Sequence, residues 1–190
     1  MTMPGGEEQI FLTLRGGGYD SLADSGFVLE NEADGSYRMT HEDGAAFIFS
    51  NDGKSGKLQT VYNPDGTQVA QLTYNGDELI EIDGIAGSYT LSWSNGHISS
   101  VTDNAGRTVS YEHDNDLLTG VTNADGDTLH YTYDGNGYLN SATDFEGEVY
   151  IENEYDGIGR VVKQTFINAD IPTVSNVSYD DEARVTTCVD

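Results

Sequence analysis

The phrase Tyr133-Asp134-Gly135-Asn136-Gly137-Tyr138-Leu139 returns as Tyr155-Asp156-Gly157-Ile158-Gly159-Arg160-Val161. It returns again, with alanine in the glycine's place, as Tyr179-Asp180-Asp181-Glu182-Ala183-Arg184-Val185. A catalytic site is needed once and a structural unit many times, so a phrase spelled three times predicts a repeat array. Glycines set its period. Gly66, Gly106, Gly126 and Gly147 close Asp/Asn-x-x-Gly turns; the first gap is double the later ones, which are 20 and 21 residues. The missing member falls at Asp83-Gly84-Ile85-Ala86-Gly87, one residue longer than its fellows. A second series runs through Gly56, Gly76, Gly96, Asp116, Gly137 and Gly159. Two interleaved series of turns mean two strands per unit, each unit a β-hairpin of about 20 residues.

Between the turns, side chains alternate with the period of a strand. Tyr74, Trp93, Tyr111, Tyr133 and Tyr155 form one column; Leu72, Leu91, Val109, Tyr131 and Asn153 stand two residues earlier. Thr73, Ser92, Ser110, Thr132 and Glu154 lie between them, so one face is apolar and the other wet. Asn153 and Arg107 break the column and predict a looser place. The return strands carry Ile98 and Val101, Leu118 and Val121, and Leu139 and Ala142, each pair three apart. A regular strand would put such a pair on opposite faces, so these strands either bulge or are covered on both sides. A lone hairpin is not stable in water, whereas stacked neighbours bury a continuous face. The expected fold is all-β: antiparallel hairpins in an open, curved, twisted sheet, with room for roughly seven units. Residues 1–34 read as an irregular leading segment with a bend at Gly16-Gly17-Gly18. Residues 35–166 read as the array, and 167–190 as a final repeat and C-terminal edge, with a loop at Ile171-Pro172.

The formal net charge is −25, from 33 acidic against 8 basic residues. The acids are dispersed among the turns, as on a solvated surface. Nucleic acid needs cations to neutralise phosphate, and three Lys and five Arg scattered along the chain form no basic stripe. No apolar run reaches membrane-spanning length, so no membrane insertion is expected. The start does not show the charged-then-apolar plan of a signal peptide, so export would need a signal elsewhere or a longer parent chain, with an isolated cytosolic protein as the alternative. Cys188 is the one cysteine and has no partner for an internal disulfide.

Tyr133-Asp134-x-x-Gly137-x-Leu139 and Tyr155-Asp156-x-x-Gly159-Arg160-Val161 resemble the YD repeats of Rhs proteins. Tyr179-Asp180-x-x-Ala183-Arg184-Val185 follows with alanine for the glycine. Tyr74-Asn75-Gly76 and Trp93-Ser94-Asn95-Gly96 are further members, Tyr111-Glu112 is a degenerate one, and Asp34 to Phe49 resembles the segment that leads into such repeats. The likeness covers about four-fifths of the chain. It implies strips of hairpins of the kind that wind into hollow shells, around toxic polypeptides in bacterial Rhs proteins and insecticidal toxin complexes, and at cell surfaces in teneurins. This chain departs from them in size: a handful of hairpins cannot close a shell. It also lacks the DPxGW-type sequence that ends the bacterial shell, so self-cleavage and cargo are not carried over.

Nothing in the sequence calls for catalysis. His41, His97, His113 and His130 read as surface residues with no close ligand partner among them, and there is no Gly-x-Ser-x-Gly elbow. Turn chemistry explains the recurrent carboxylates, because Asp and Asn bond their own backbone two residues on. Asn123-Ala124-Asp125-Gly126-Asp127 begins like a calcium loop but lacks the later bidentate Glu. No cofactor is expected, and dense carboxylates allow only adventitious calcium. The reading is a non-catalytic structural segment of a larger surface, secreted or toxin-encapsulating protein, placed outside the cell or at its surface. Its partners would be other shell segments, or its own copies through open sheet edges. The rival is a free-standing module that binds glycan or peptide on exposed tyrosines, with Tyr19, Tyr37, Tyr62, Tyr138 and Tyr150 lying off the main column.

Overall fold

The computed structural model describes residues 10–15, 18–21, 26–51, 56–167 and 172–189. Gly16, Gly17 and Ile171, where a bend and a loop are expected, lie outside them. The chain forms two compact units, residues 1–91 and 92–190. The first holds β1 (Phe11–Thr13), β2 (Tyr19–Ser21), β3 (Phe27–Asn31), β4 (Tyr37–His41), β5 (Ala46–Phe49), β6 (Leu58–Tyr62), β7 (Gln68–Asn75), β8 (Glu78–Gly84) and most of β9 (Gly87–Ser94). The second holds the end of β9, β10 (His97–Asp103), β11 (Thr108–Asp114), β12 (Leu117–Thr122), β13 (Thr128–Tyr133), β14 (Leu139–Thr143), β15 (Val149–Tyr155), β16 (Val161–Phe166), β17 (Thr173–Asp180) and β18 (Val185–Val189).

β1 and β2 make a small hairpin of their own. From β3 to β9, and again from β10 to β18, each strand pairs antiparallel with the next. Within neither unit does the order return on itself, so the all-β, open hairpin array expected from the repeats is what forms. The stretch read as irregular, 1–34, contributes three strands.

One turn construction recurs along the chain. In the turn from Asp134 to Tyr138, the Asp134 N–H donates to the Tyr138 carbonyl and the Gly137 N–H to the Asp134 carbonyl. The Asp134 carboxylate accepts the N–H groups of Asn136 and Tyr138, both at 2.9 Å. Asp103, Asn123, Asp144 and Asp156 anchor their turns in the same way. Gly137 sits at φ 83°, a left-handed backbone that a β-branched residue adopts only under strain. Replacing Gly137 with Val, where a Cβ meets nothing within 4 Å, therefore destabilises by backbone strain alone, about 1–3 kcal/mol in urea unfolding.

At Ala183, where glycine is missing, the turn is rebuilt. Asp180 pairs with Val185 across a loop of residues 181–184, and the left-handed position moves on to Arg184, φ 55°. The turn at 83–87, expected to be long, closes tightly instead: Gly84 pairs with Gly87 across Ile85 and Ala86. Asp116 does not take over the glycine's backbone role in its own turn; Asn115, φ 53°, holds the left-handed position, as Asn tolerates.

The register answers the question of the three-apart pairs. His113 lies opposite Leu118 and Glu112 opposite Gly120, leaving Thr119 as the extra residue of a bulge. Asn140 is extra between Leu139 and Ser141, and Ile80 between Leu79 and Glu81. The bulge turns the strand by one residue, so Leu118 and Val121 reach the same face.

Fully buried apolar side chains concentrate in the first unit. Leu29, Met39 and Phe49 form a core with Phe11, Tyr19, Phe27, Tyr37, Phe47 and Leu58 against it. The β1–β2 hairpin supplies Phe11 and Tyr19, and the Tyr19 hydroxyl donates to Asn31 at 3.3 Å. In the second unit most of the column is half-buried. Ala142 and Asn153 are its buried members.

Candidate functional site

The residues that the repeat singles out meet at the joints between successive strands. The Tyr133 hydroxyl donates to the Leu118 carbonyl at 2.7 Å, Tyr155 to Leu139 at 2.7 Å, and Tyr179 to Val161 at 2.8 Å. Tyr74 donates to Leu58 at 2.9 Å. Each tyrosine is the last or next-to-last residue of its strand and reaches the first or second residue of the strand before it, 15 to 18 positions back in sequence. The ring thus fills the apolar column while its hydroxyl satisfies a carbonyl at the strand end.

A second element brackets the same ring. Arg160 follows Gly159 and lies over Tyr179, 4.2 Å from its centre. Its guanidinium also pairs with Asp156 at 2.8 Å and with Asp181, in the following turn, at 2.7 Å. Hydrogen bonding to Asp156, then to Asp181, raises its pKa further above the ordinary range. Lys57 follows Gly56 and stands over Tyr74 at 5.7 Å, paired with Asp77 of the next turn at 2.7 Å and donating to the Gly76 carbonyl. Tyr138 takes the place at Tyr155, with ring centres 5.1 Å apart. A cation over an aromatic face gains from the ring quadrupole, and its acid partner fixes it there.

His97 and His113 make the third bracket with an acid. The rings stack at 4.6 Å with 15° between their planes, and His97 Nε2 lies 3.2 Å from Asp116 Oδ1 in the next turn. His97 thus stands where Lys57 and Arg160 stand, and His113 where the tyrosines stand. Opposite Leu118, the position equivalent to Tyr133 opposite Leu139 belongs to His113, while Tyr111 pairs with Val121 further down the strand. Read from the sequence as separate surface residues, these two histidines are brought together as a stacked pair. A signal was present: counted back from the turn, His113-Asp114 occupies the place of Tyr133-Asp134.

The other sequence-marked residues lie at these joints or beside them. Gly76 and Gly96 are left-handed turn residues, and Trp93 lines the cavity against His97 and His113. Leu139 accepts from Tyr155 and also from the Asn153 side chain at 3.1 Å. Asp180 accepts the N–H groups of Glu182 and Ala183. Arg184 lies in the rebuilt turn. Asn153, read as a break in the column, is 7% exposed and satisfied, since it also accepts from Gln164 at 2.8 Å. Among the described residues no group of three or more His, Cys, Asp or Glu is arranged to hold a metal ion.

Several turn carboxylates are held below the ordinary range. The Arg107 N–H does this for Asp103, the Tyr138 N–H for Asp134 and the Arg160 N–H for Asp156. A carboxylate whose pKa is lowered on folding contributes stability that is complete above its unfolded value, 3.8, and is lost as pH falls below that through the folded value. The acid limb of melting temperature against pH is therefore expected below about pH 4. Asp134→Asn makes it shallower by that residue's share, because an amide oxygen accepts the same two N–H groups at Asn123 without titrating.

Residues 113–149 match the RHS Repeat family. No curated protein matches the chain. Among solved structures the chain is similar to the Tc holotoxin pore of Photorhabdus luminescens carrying a mutant TccC3, at 15% identity and a TM-score of 0.48, over 85% of this chain and 11% of that one. It is also similar to the crystal structure of TcdB2-TccC3-TEV, at 15% identity and a TM-score of 0.43, again over 85% and 11%. The chain spans about a tenth of the length of both. The family match begins at His113, the residue that the register puts in the tyrosine's place, and runs through Tyr133-Asp134 to Val149: this stretch is similar to an RHS repeat, and the likeness to the Rhs/YD-repeat family read from the sequence is borne out.

Proposed function

We propose that the chain is a non-catalytic wall segment of a larger Rhs/YD-repeat protein, secreted, displayed at a cell surface or enclosing a toxin. The observation that carries this reading is the recurring joint: the same hydroxyl-to-carbonyl bond at Tyr74, Tyr133, Tyr155 and Tyr179. These side chains are engaged in fastening one strand to the next, which is the work of a wall. The second unit also offers a place for more wall. β18 is exposed along its whole length, carries no charge in a chain of net charge −25, and shows Val185 and Val189 at 51% and 59% exposure. An uncharged, exposed edge strand is a template for another strand.

Sedimentation of the purified chain over a range of concentrations tests the reading. Concentration-dependent association, abolished by Thr187→Lys in the middle of β18, is expected. A strict monomer whose sheet face retains a sugar on a glycan array contradicts it and supports a free-standing binding module.

A further inference from the structure

We propose that β18 ends the second unit as half of a tyrosine joint, and that Arg184 and Val185 dock a strand ending in an aromatic residue followed by an acid. This rests on the reading of the chain as a wall segment and names the chemistry of the strand that the exposed edge takes.

The register of the complete joints shows what the half lacks. β6 and β7 pair Thr60 with Gln71, and β12 and β13 pair Gly120 with His130. β14 and β15 pair Ser141 with Glu152, and β16 and β17 pair Lys163 with Asn176. Counted on from these pairs, Tyr74 falls opposite Lys57, Tyr133 opposite Leu117, Tyr155 opposite Tyr138 and Tyr179 opposite Arg160. In all four the hydroxyl donates to the carbonyl of the next residue: Leu58, Leu118, Leu139 and Val161. One half of a joint is therefore two neighbouring residues where a strand starts. The first lies opposite the incoming ring, and the second is an aliphatic whose carbonyl accepts the hydroxyl. Where the first is a cation, it also takes an acid from the turn after the ring: Asp77 for Lys57 and Asp181 for Arg160.

Arg184 and Val185 repeat Arg160 and Val161. β18 starts at Val185 as β16 starts at Val161, and β18 is the edge of its sheet. Arg184 is exposed and forms no ion pair among the described residues. Nearby acids of its own turn are engaged: Asp180 accepts the Glu182 and Ala183 N–H groups, and Asp181 is held by Arg160 at 2.7 Å. A strand added antiparallel to β18 in the recurring register sets its ring opposite Arg184, its hydroxyl at the Val185 carbonyl and its turn acid on the guanidinium. The guanidinium then gains from both a ring face and a carboxylate. The uncharged rest of β18 supplies backbone pairing.

The turn before β18 is the rebuilt one. Its left-handed backbone lies at Arg184, φ 55°, whereas beside Arg160 it lies at Gly159, φ 86°. Ala183→Gly offers that conformation to a glycine again, so this variant is expected to dock the strand at least as tightly as the wild type.

The probe is a fluorescein-labelled peptide of residues 173–182, which carries Tyr179 and Asp181 in their joint order, titrated with the full chain at about 0.15 M salt and read by anisotropy. A chain of net charge −25 repels acidic peptides in general, so binding that needs the peptide's acid identifies the Arg184 contact. Tyr179→Phe in the peptide is expected to weaken binding about two- to tenfold, the loss of one hydroxyl bond. Asp181→Asn in the peptide, or Arg184→Gln in the chain, weakens it about threefold or more, and the two together weaken it no further than either alone. Binding indifferent to the peptide's tyrosine and aspartate or to Arg184→Gln overturns the proposal. So does weaker binding by Ala183→Gly, or no binding at chain concentrations on the order of millimolar. If the chain still associates with itself under any of these results, the wall reading stands and this recognition falls; a monomer that binds no peptide overturns both.

Discussion

Replacing Phe49 with alanine is expected to destabilise the first unit by about 3–5 kcal/mol. Phe49 is 2% exposed and lies against Met39, which is wholly buried, and Leu29. Few side chains in a sheet of this kind are enclosed on all sides. Those three are, because the β1–β2 hairpin adds Phe11 and Tyr19 over strands whose inner residues are already large. Removing the ring leaves a void that paired strands cannot collapse into without breaking their register, so both the transfer and the cavity contributions are lost. Urea unfolding followed by amide exchange of residues 37–49 measures the effect. Phe145 provides the contrast. It is 48% exposed, and Phe145→Ala is expected to change stability by less than about 0.5 kcal/mol.

The second large effect lies at Tyr133, where two substitutions separate ring from hydroxyl. Tyr133→Phe keeps the packing and removes the bond to the Leu118 carbonyl, for an expected loss of about 0.5–1.5 kcal/mol. Tyr133→Ala removes the ring as well, and since the ring is only half-buried the total should reach about 2–4 kcal/mol, below that of a core phenylalanine. Equilibrium unfolding of both variants gives the two increments. If Phe costs as much as Ala, the hydroxyl alone holds the joint; if neither costs anything, the joint does not carry stability.

Much of this architecture was legible because its turns are chemically demanding. A left-handed backbone selects glycine, and an aspartate before it selects itself by capping two N–H groups, so the period could be counted directly. What stayed hidden were contacts in which one residue type does another's job. His113 is masked by Tyr111, because aromatic identity and distance from the turn point to different residues on this strand. In sequence Asn153 reads as a defect since its amide is polar; its partners, the Leu139 carbonyl and Gln164, come from neighbouring strands that sequence spacing does not bring together. The bulges at Ile80, Thr119 and Asn140 were an open alternative because a three-residue spacing fits two geometries, and the register chose between them. The Leu29, Met39 and Phe49 core leaves no mark in the sequence because it depends on a cover from Phe11 and Tyr19, in a stretch that reads as irregular.

The most direct test of the tyrosine joints is hydrogen exchange mapped strand by strand in Tyr155→Ala. If successive strands are fastened mainly to their neighbours, protection falls in β14, β15 and β16 while β10 to β12 keep theirs. An even loss across residues 92–190, or no loss around Leu139, would contradict the joints as the unit of cohesion.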